Sequence, residues 1–150
     1  MVLIQLNNQN IYVFKKEISL FFLNNRDSYY FFHPHKLTWN TLKSIIKKSK
    51  EDFYSILLDE NVICGYGILR GWDEMYQIPS LGIIIDKNYR GKGVSIFLMN
   101  ELHKIVKEKG INKVRLTVLK ENKPAISLYK KIGYDIKELD ENTLIGVKDV

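Results

Sequence analysis

The segment Ile83-Ile84-Ile85-Asp86-Lys87-Asn88-Tyr89-Arg90-Gly91-Lys92-Gly93-Val94-Ser95 constrains this chain more than any other. An apolar run of strand length passes through a two-glycine turn straight into Val94, Phe97, Leu98, Leu102, Ile105 and Val106, which recur at helical spacing. A strand buried on both faces that feeds a helix belongs to a sheet with helices packed on it. Gly91 and Gly93 let the backbone approach a ligand closely and free N–H groups to point outward. The helix start adds its positive dipole end, so a phosphate is the natural guest, with Arg90 and Lys92 adding charge at the rim. The segment lacks both the Lys-Ser/Thr ending of a nucleoside-triphosphatase loop and the third glycine of a dinucleotide fingerprint.

The remaining pattern predicts a mixed α/β (α+β) domain. Val2 to Leu6 reads as a short strand, and Ile11, Phe14, Ile18, Phe21 and Phe22 as one helix ending near Asn24-Asn25. An aromatic stretch from Tyr29 to His35, broken by Pro34, reads as a loop. Thr38 caps a second helix carrying Leu42, Ile45 and Ile46. Strands follow over Phe53 to Leu58, Val62 to Leu69 and Leu81 to Ile85, then the helix from Val94 that Gly110 stops. Val114 to Leu119 is the next strand. A short helix from Lys123 to Ile132 is closed by Gly133, and a hairpin of Tyr134 to Leu139 with Thr143 to Lys148 ends the chain.

Composition removes several classes of function. At 150 residues, 45% apolar and 27% charged, the chain reads as one globular domain over 1–150 rather than a disordered segment. No apolar run approaches the ~20 residues of a membrane span. The start Met1-Val2-Leu3-Ile4 carries no charged leader, and the single cysteine, Cys64, excludes an intrachain disulfide. These features predict a cytoplasmic protein without membrane association. Three histidines and one cysteine form no recognised ligand spacing, so no metal is expected. The net charge of +6 is spread, with clusters only at Lys47-Lys48-Ser49-Lys50 and Lys130-Lys131, and no basic stripe calls for nucleic acid. A mild positive field equally suits a polyanionic small molecule.

A second segment, Glu121-Asn122-Lys123-Pro124-Ala125-Ile126-Ser127-Leu128-Tyr129-Lys130-Lys131-Ile132-Gly133-Tyr134, is a capped helix with a proline in its first turn. Asn122 and Tyr129 stand two helical turns apart and share a face. Together the two segments resemble the GNAT-type N-acetyltransferase superfamily. That family has a basic-x-x-Gly-x-Gly/Ala turn, here Arg90-Gly91-Lys92-Gly93-Val94-Ser95, with Ser95 where glycine or alanine is usual. Its downstream Asn-x-x-Ala-x-x-Leu-Tyr-x-x-x-Gly-Tyr/Phe segment is matched by Asn122, Ala125, Leu128, Tyr129, Gly133 and Tyr134. The resemblance is sharp from Leu81 to Tyr134 and architectural before that.

The resemblance implies a central, mostly antiparallel mixed sheet of six to seven strands flanked by about four helices. A V-shaped cofactor cleft would open between the fourth and fifth strands. It implies acetyl-CoA as cofactor, with backbone groups of Ile83 and Ile85 pairing with the pantetheine like another strand. Arg90, Gly91, Lys92, Gly93, Val94 and Ser95 would hold the pyrophosphate, and Asn122 and Ala125 would meet the cofactor arm. An N–H near Ile84 or Ile85 would polarise the thioester carbonyl. Tyr129, a phenol with an ordinary pKa of about 10, would act as general acid to the leaving sulfur. No acid stands between Ile78 and Ile85, so the general base is expected at Glu74 or its neighbour Asp73, or in water relayed by Ser80.

For the acceptor, family variation points to two stretches, Tyr29 to His35 and Arg70 to Ser80. Trp72, Asp73, Glu74 and Arg70 read as a floor for a polar ring such as an amino sugar, free or nucleotide-linked, with His33 and His35 at the cleft mouth. The leading expectation is transfer of acetyl to a primary amine of a small polar acceptor. A protein or peptide N-acetyltransferase and a non-catalytic acyl-CoA sensor are the alternatives, and the terminal hairpin offers an edge for a homodimer.

Overall fold

The computed structural model describes residues 1–150. Its chain runs through β1 (Val2–Gln5), α1 (Asn10–Val13), α2 (Lys15–Asn24), a 3-10 turn at Arg26–Tyr30 and α3 (Trp39–Lys48). Next come β2 (Phe53–Asp59), β3 (Val62–Arg70), β4 (Ser80–Ile85), α4 (Val94–Glu108) and β5 (Lys113–Leu119), then α5 (Lys123–Ile132), β6 (Asp135–Glu138) and β7 (Thr143–Asp149). Seven strands form one sheet in the order β1-β2-β3-β4-β5-β7-β6. Every neighbouring pair is antiparallel except β4 with β5. The expected architecture is present, with five helices where about four were predicted. No helix is long and apolar enough to cross a membrane.

The extra helix comes from a break. The run from Ile11 to Asn24 reads as one helix, but Phe14 takes φ −96° and ψ 14° and separates α1 from α2. Thr38 caps α3 as expected, its hydroxyl accepting from the Thr41 N–H at 3.1 Å. Asn122 Oδ1 accepts from Ala125 N–H at 3.4 Å to start α5, and Gly133 ends it at φ +106°, a left-handed position that favours glycine.

Two cores form, one on each face of the sheet. Helices α1 to α3 bury Ile11, Ile18, Phe21, Phe22, Trp39 and Leu42 against Tyr54, Ile56, Tyr66 and Ile84. On the other face α4 buries Val94, Leu98, Met99, Leu102 and Val106 against Leu57, Leu69, Val114 and Leu116. β2 and β3 are therefore buried on both faces, which explains their unbroken apolar runs. β5 alternates instead: Val114, Leu116 and Val118 point inward, while Lys113, Arg115 and Thr117 do not. β4 was expected to be buried on both faces, yet Gly82, Ile83 and Ile85 are only half-buried, because its β5 side is open.

Close approach of α4 to β3 holds this arrangement. A Cβ on Gly67 would lie 3.0 Å from Leu102 Cδ1 and 3.1 Å from Leu98 Cδ1. The Leu98 and Leu102 side chains would have to give way by a few tenths of an ångström to admit one. At its other side α4 carries His103, whose Nε2 lies 2.7 Å from the Tyr134 hydroxyl in a buried pair. Burial pushes this imidazole down to about 4.

Gly67→Val should destabilise the fold by roughly 1–3 kcal/mol through overpacking, read as a lower urea midpoint at unchanged slope. An unfolded histidine titrates near 6.5, so below that pH the unfolded chain binds a proton that folded His103 refuses until about 4. Stability should therefore fall as pH drops through that window. His103→Gln should flatten that part of the urea-midpoint profile, and an unchanged profile would remove His103 as its source.

Candidate active site

The cleft begins where β4 and β5 part. They share one registered pair, Ser80 with Arg115, and the Arg115 N–H donates to the Pro79 carbonyl at 3.0 Å. Asp86 N–H bonds the Cys64 carbonyl, and the β3–β4 register then commits the even-numbered residues, including Ile84, to β3. Ile83 and Ile85 consequently turn their N–H groups toward the gap. Of the N–H positions named near the reacting carbonyl, Ile84 is thus spent on the sheet and Ile85 is not. The cavity in the gap measures about 520 Å³ and is lined by Ile83, Ile84, Ile85, Arg90, Gly91, Ser95, Asn122, Ala125 and Tyr129 among others.

The turn at its mouth fits a phosphate. Gly91 and Gly93 hold φ +73° and +80°, and nothing lies within 4 Å of where their Cβ atoms would be. No backbone N–H from Gly91 to Ile96 meets an acceptor within the protein, and the 15-residue α4 starts there. Val94 gives only its backbone, since its side chain is buried in the core. Lys92 has no acidic partner, and its ammonium lies 5.8 Å from the Tyr89 ring centroid. These features suit the pyrophosphate of an acyl-CoA, and the unpaired β4 edge suits its amide-bearing arm. With Oδ1 used as a cap, Asn122 keeps its amide donors for that arm.

Tyr129 is half-buried at the back of the cavity, and its phenol is pushed up to about 12 by burial. It also borders a second chamber of about 280 Å³ formed by Phe31, Phe32, His33, Pro34, Arg70, Ser80, Thr117, Leu139 and Thr143. The two cavities share Phe31, Phe32, Ile83, Thr117, Val118 and Tyr129. This places His33, Arg70 and Ser80 together, on the side of Tyr129 away from the glycine turn.

Four expected acceptor residues are not brought there. His35 is packed among Phe22, Phe32 and Tyr66; its Nδ1 donates to the Lys36 carbonyl at 2.7 Å and its Nε2 accepts from the Tyr66 hydroxyl at 2.7 Å. Burial lowers its pKa, so it is a neutral core residue. Asp73 instead accepts from the Ser49 hydroxyl at 2.6 Å and from the Lys50 and Glu51 N–H groups at 3.0 and 2.6 Å, which ties the end of α3 to this loop. Trp72 donates to the Gln77 carbonyl at 3.2 Å and lies under Lys109 at 4.7 Å, on the α4 side. Glu74 is exposed in the same loop and lines neither cavity. No carboxylate lines the second chamber at all.

Several contributors escaped the sequence reading. Arg90 does not project freely: it donates to Asp27 at 2.6 and 3.3 Å, to the Ser28 hydroxyl at 3.0 Å and to the Ile85 carbonyl at 3.2 Å. The guanidinium holds the Asp27 carboxyl below its usual range. Across the gap, Tyr30 donates to Glu121 at 2.5 Å, so the Arg26–Tyr30 turn spans both walls. Buried Asn25 donates to Asp86 at 2.9 Å and accepts from the Lys87 N–H at 2.9 Å, fixing the loop that leads into the glycine turn. The Asp-Lys-Asn sequence after a strand signals the turn that Asp86 builds with the Asn88 N–H at 2.9 Å. Asn25 carries no such signal, because its partner lies 61 positions away.

Comparison with known proteins agrees with this geometry. An N-acetyltransferase of Methanocaldococcus jannaschii, MJ1207, itself uncharacterised, is 27% identical over 128 residues, covering 83% of this chain and 56% of that protein. The L-amino acid N-acetyltransferase AaaT of Escherichia coli is 33% identical over 61 residues, covering 40% of this chain and 38% of that protein. The chain thus spans about half the length, or less, of these relatives. Among solved structures, the PaiA N-acetyltransferase of Thermoplasma acidophilum in complex with coenzyme A superposes with a TM-score of 0.75 at 18% identity, covering all of both chains. The sequence model of the acetyltransferase (GNAT) family matches residues 19–134, most of the chain, and the chain belongs to that family.

Proposed function

We propose that this chain transfers an acetyl group from acetyl-CoA to the primary amine of a small polar acceptor, by direct attack while both are bound. The observation that carries the reading is the position of Tyr129, which borders a cavity suited to the acyl-CoA and a separate chamber suited to an amine. Family membership supports the reaction class. The relative described as an L-amino acid N-acetyltransferase supports a small acceptor. Of the four residues read as an amino-sugar floor, Trp72, Asp73 and Glu74 stand outside the chamber and Arg70 lines it.

Bound acetyl-CoA supplies an activated acetyl group as its thioester. The backbone N–H groups from Gly91 to Ile96, with Lys92, hold the pyrophosphate. Ile83 and Ile85 pair with the arm along the open edge of β4, and Asn122 donates to it. The amine must lose one proton. His33 is the one chamber residue with an imidazole nitrogen to accept it, and Ser80 is placed to relay it through water. His33 Nε2 contacts the Tyr30 carbonyl, which leaves Nδ1 as the accepting nitrogen.

Tyr129 would be the donor to the departing sulfur when acetyl-CoA is bound. With its pKa pushed up to about 12, the phenol stays protonated across the physiological range and always presents a donor. An ordinary thiol ionises near 8.5, so the hydrogen bond to the developing thiolate, rather than complete proton transfer, carries the stabilisation.

Release of free thiol from acetyl-CoA in the presence of amines tests the activity, with calorimetry reporting cofactor binding separately. Tyr129→Phe should lower kcat by roughly 100-fold or more and leave acetyl-CoA affinity within a few-fold. Equal loss of binding and turnover, or loss of neither, would take Tyr129 out of this role.

A further inference from the structure

We infer that the acceptor is an amine that also carries a carboxylate, of amino-acid size, and that Arg70 is the residue that recognises it. The inference rests on the transferase reading above and names the substrate class of that site. The chamber contains one permanently charged side chain, Arg70, and no Asp or Glu. Arg70 makes no salt bridge. Its single protein partner is the Pro34 carbonyl, 3.1 Å from Nη1, which leaves most of the guanidinium fork unused.

Arg70 is half-buried at a partly open chamber that offers it no counter-ion, so an entering anion meets an unpaired guanidinium. The planar fork matches a carboxylate bidentately. Arg70 sits opposite Ser80 in the β3–β4 register, so an anion held there lies at the closed end of the gap, where β4 and β5 still touch. The amine of the same molecule then extends toward Tyr129 and His33.

The same charge acts on the nucleophile. By pairing the acceptor's carboxylate, Arg70 offsets that group's pull toward the ammonium form, which favours the neutral, attacking amine. It also works against polyamines, which bring several positive charges and no anion. At about 280 Å³ the chamber suits a guest of amino-acid size.

The test compares turnover of L-amino acids with that of their α-amides, which keep the amine and lose the anion. O-phosphoethanolamine and spermidine complete the panel. Free amino acids should exceed their amides in kcat/KM by roughly 10- to 100-fold. Arg70→Gln should raise KM for the acids and erase that preference, and Arg70→Lys should restore part of it. Calorimetry should show acetyl-CoA affinity unchanged in both variants, which also reports that they fold. Amides used as well as acids, spermidine preferred, or an equal loss on both in Arg70→Gln would overturn the carboxylate assignment. Preference for O-phosphoethanolamine would overturn it in favour of a phosphate. Tight acetyl-CoA binding with silence across the panel would overturn it while leaving the cofactor site standing, whereas failure to bind acetyl-CoA would sink the transferase reading itself.

Discussion

The structure depends on a sheet that is not zipped all the way. β4 and β5 are parallel neighbours that meet at Ser80 and Arg115 and then part, while β3 holds β4 along six registered pairs and β7 holds β5 along seven. Each half-sheet is complete without the other. Backbone N–H groups need partners, and beyond the Ser80–Arg115 bridge those of Ile83 and Ile85 on the inner edge of β4 are not paired with β5. A ligand with a peptide-like arm satisfies that demand in the manner of a missing strand. The two-glycine turn lies at the open end of the same gap because α4 starts soon after β4 stops.

Weak contacts close the walls around the gap. The Arg26–Tyr30 turn reaches one wall through Asp27 and Arg90 and the other through Tyr30 and Glu121. The Asp27–Arg90 pair is substantially exposed, with side chains 55% and 43% accessible, and such pairs contribute on the order of 0–1 kcal/mol. Arg90 can therefore leave Asp27 at little cost. The buried Asn25–Asp86 contact is different in kind. It fixes the loop ahead of the glycine turn from within the core, where a lost partner leaves a desolvated polar group.

How much of this was legible follows the range of each interaction. Strands, caps and the glycine turn are set by neighbours within a few residues, so Thr38, Asn122 and Gly133 read correctly from the chain. Gly91 and Gly93 were recognisable because only glycine takes φ near +75° cheaply, and a ligand needs the space their missing Cβ atoms leave. The acceptor side was far less legible. Trp72, Asp73 and Glu74 have the chemistry of a polar floor, but hydrogen bonds to Ser49, Lys50, Glu51 and Gln77 hold Trp72 and Asp73 away from the chamber, and Glu74 rides with them. Arg70 and Asp73 are three positions apart and part company because one ends a strand and the other caps a turn. His33 and His35 diverge across Pro34: one lines the chamber, and the other packs half-buried against Phe22, Phe32 and Tyr66.

Across the site, polar groups are left without protein partners: the N–H groups of Ile83, Ile85 and the glycine turn, and most of the guanidinium fork of Arg70. The most direct test of this account is amide hydrogen exchange, resolved by residue, with and without coenzyme A. Ile83, Ile85 and the amides from Gly91 to Ile96 should exchange more slowly when the ligand is present, while Ile84, already bonded to β3, should be slow in both states and unchanged. Protection that spares Ile83 and Ile85, or that falls equally on Ile84, would contradict the claim that the open edge of β4 receives the cofactor.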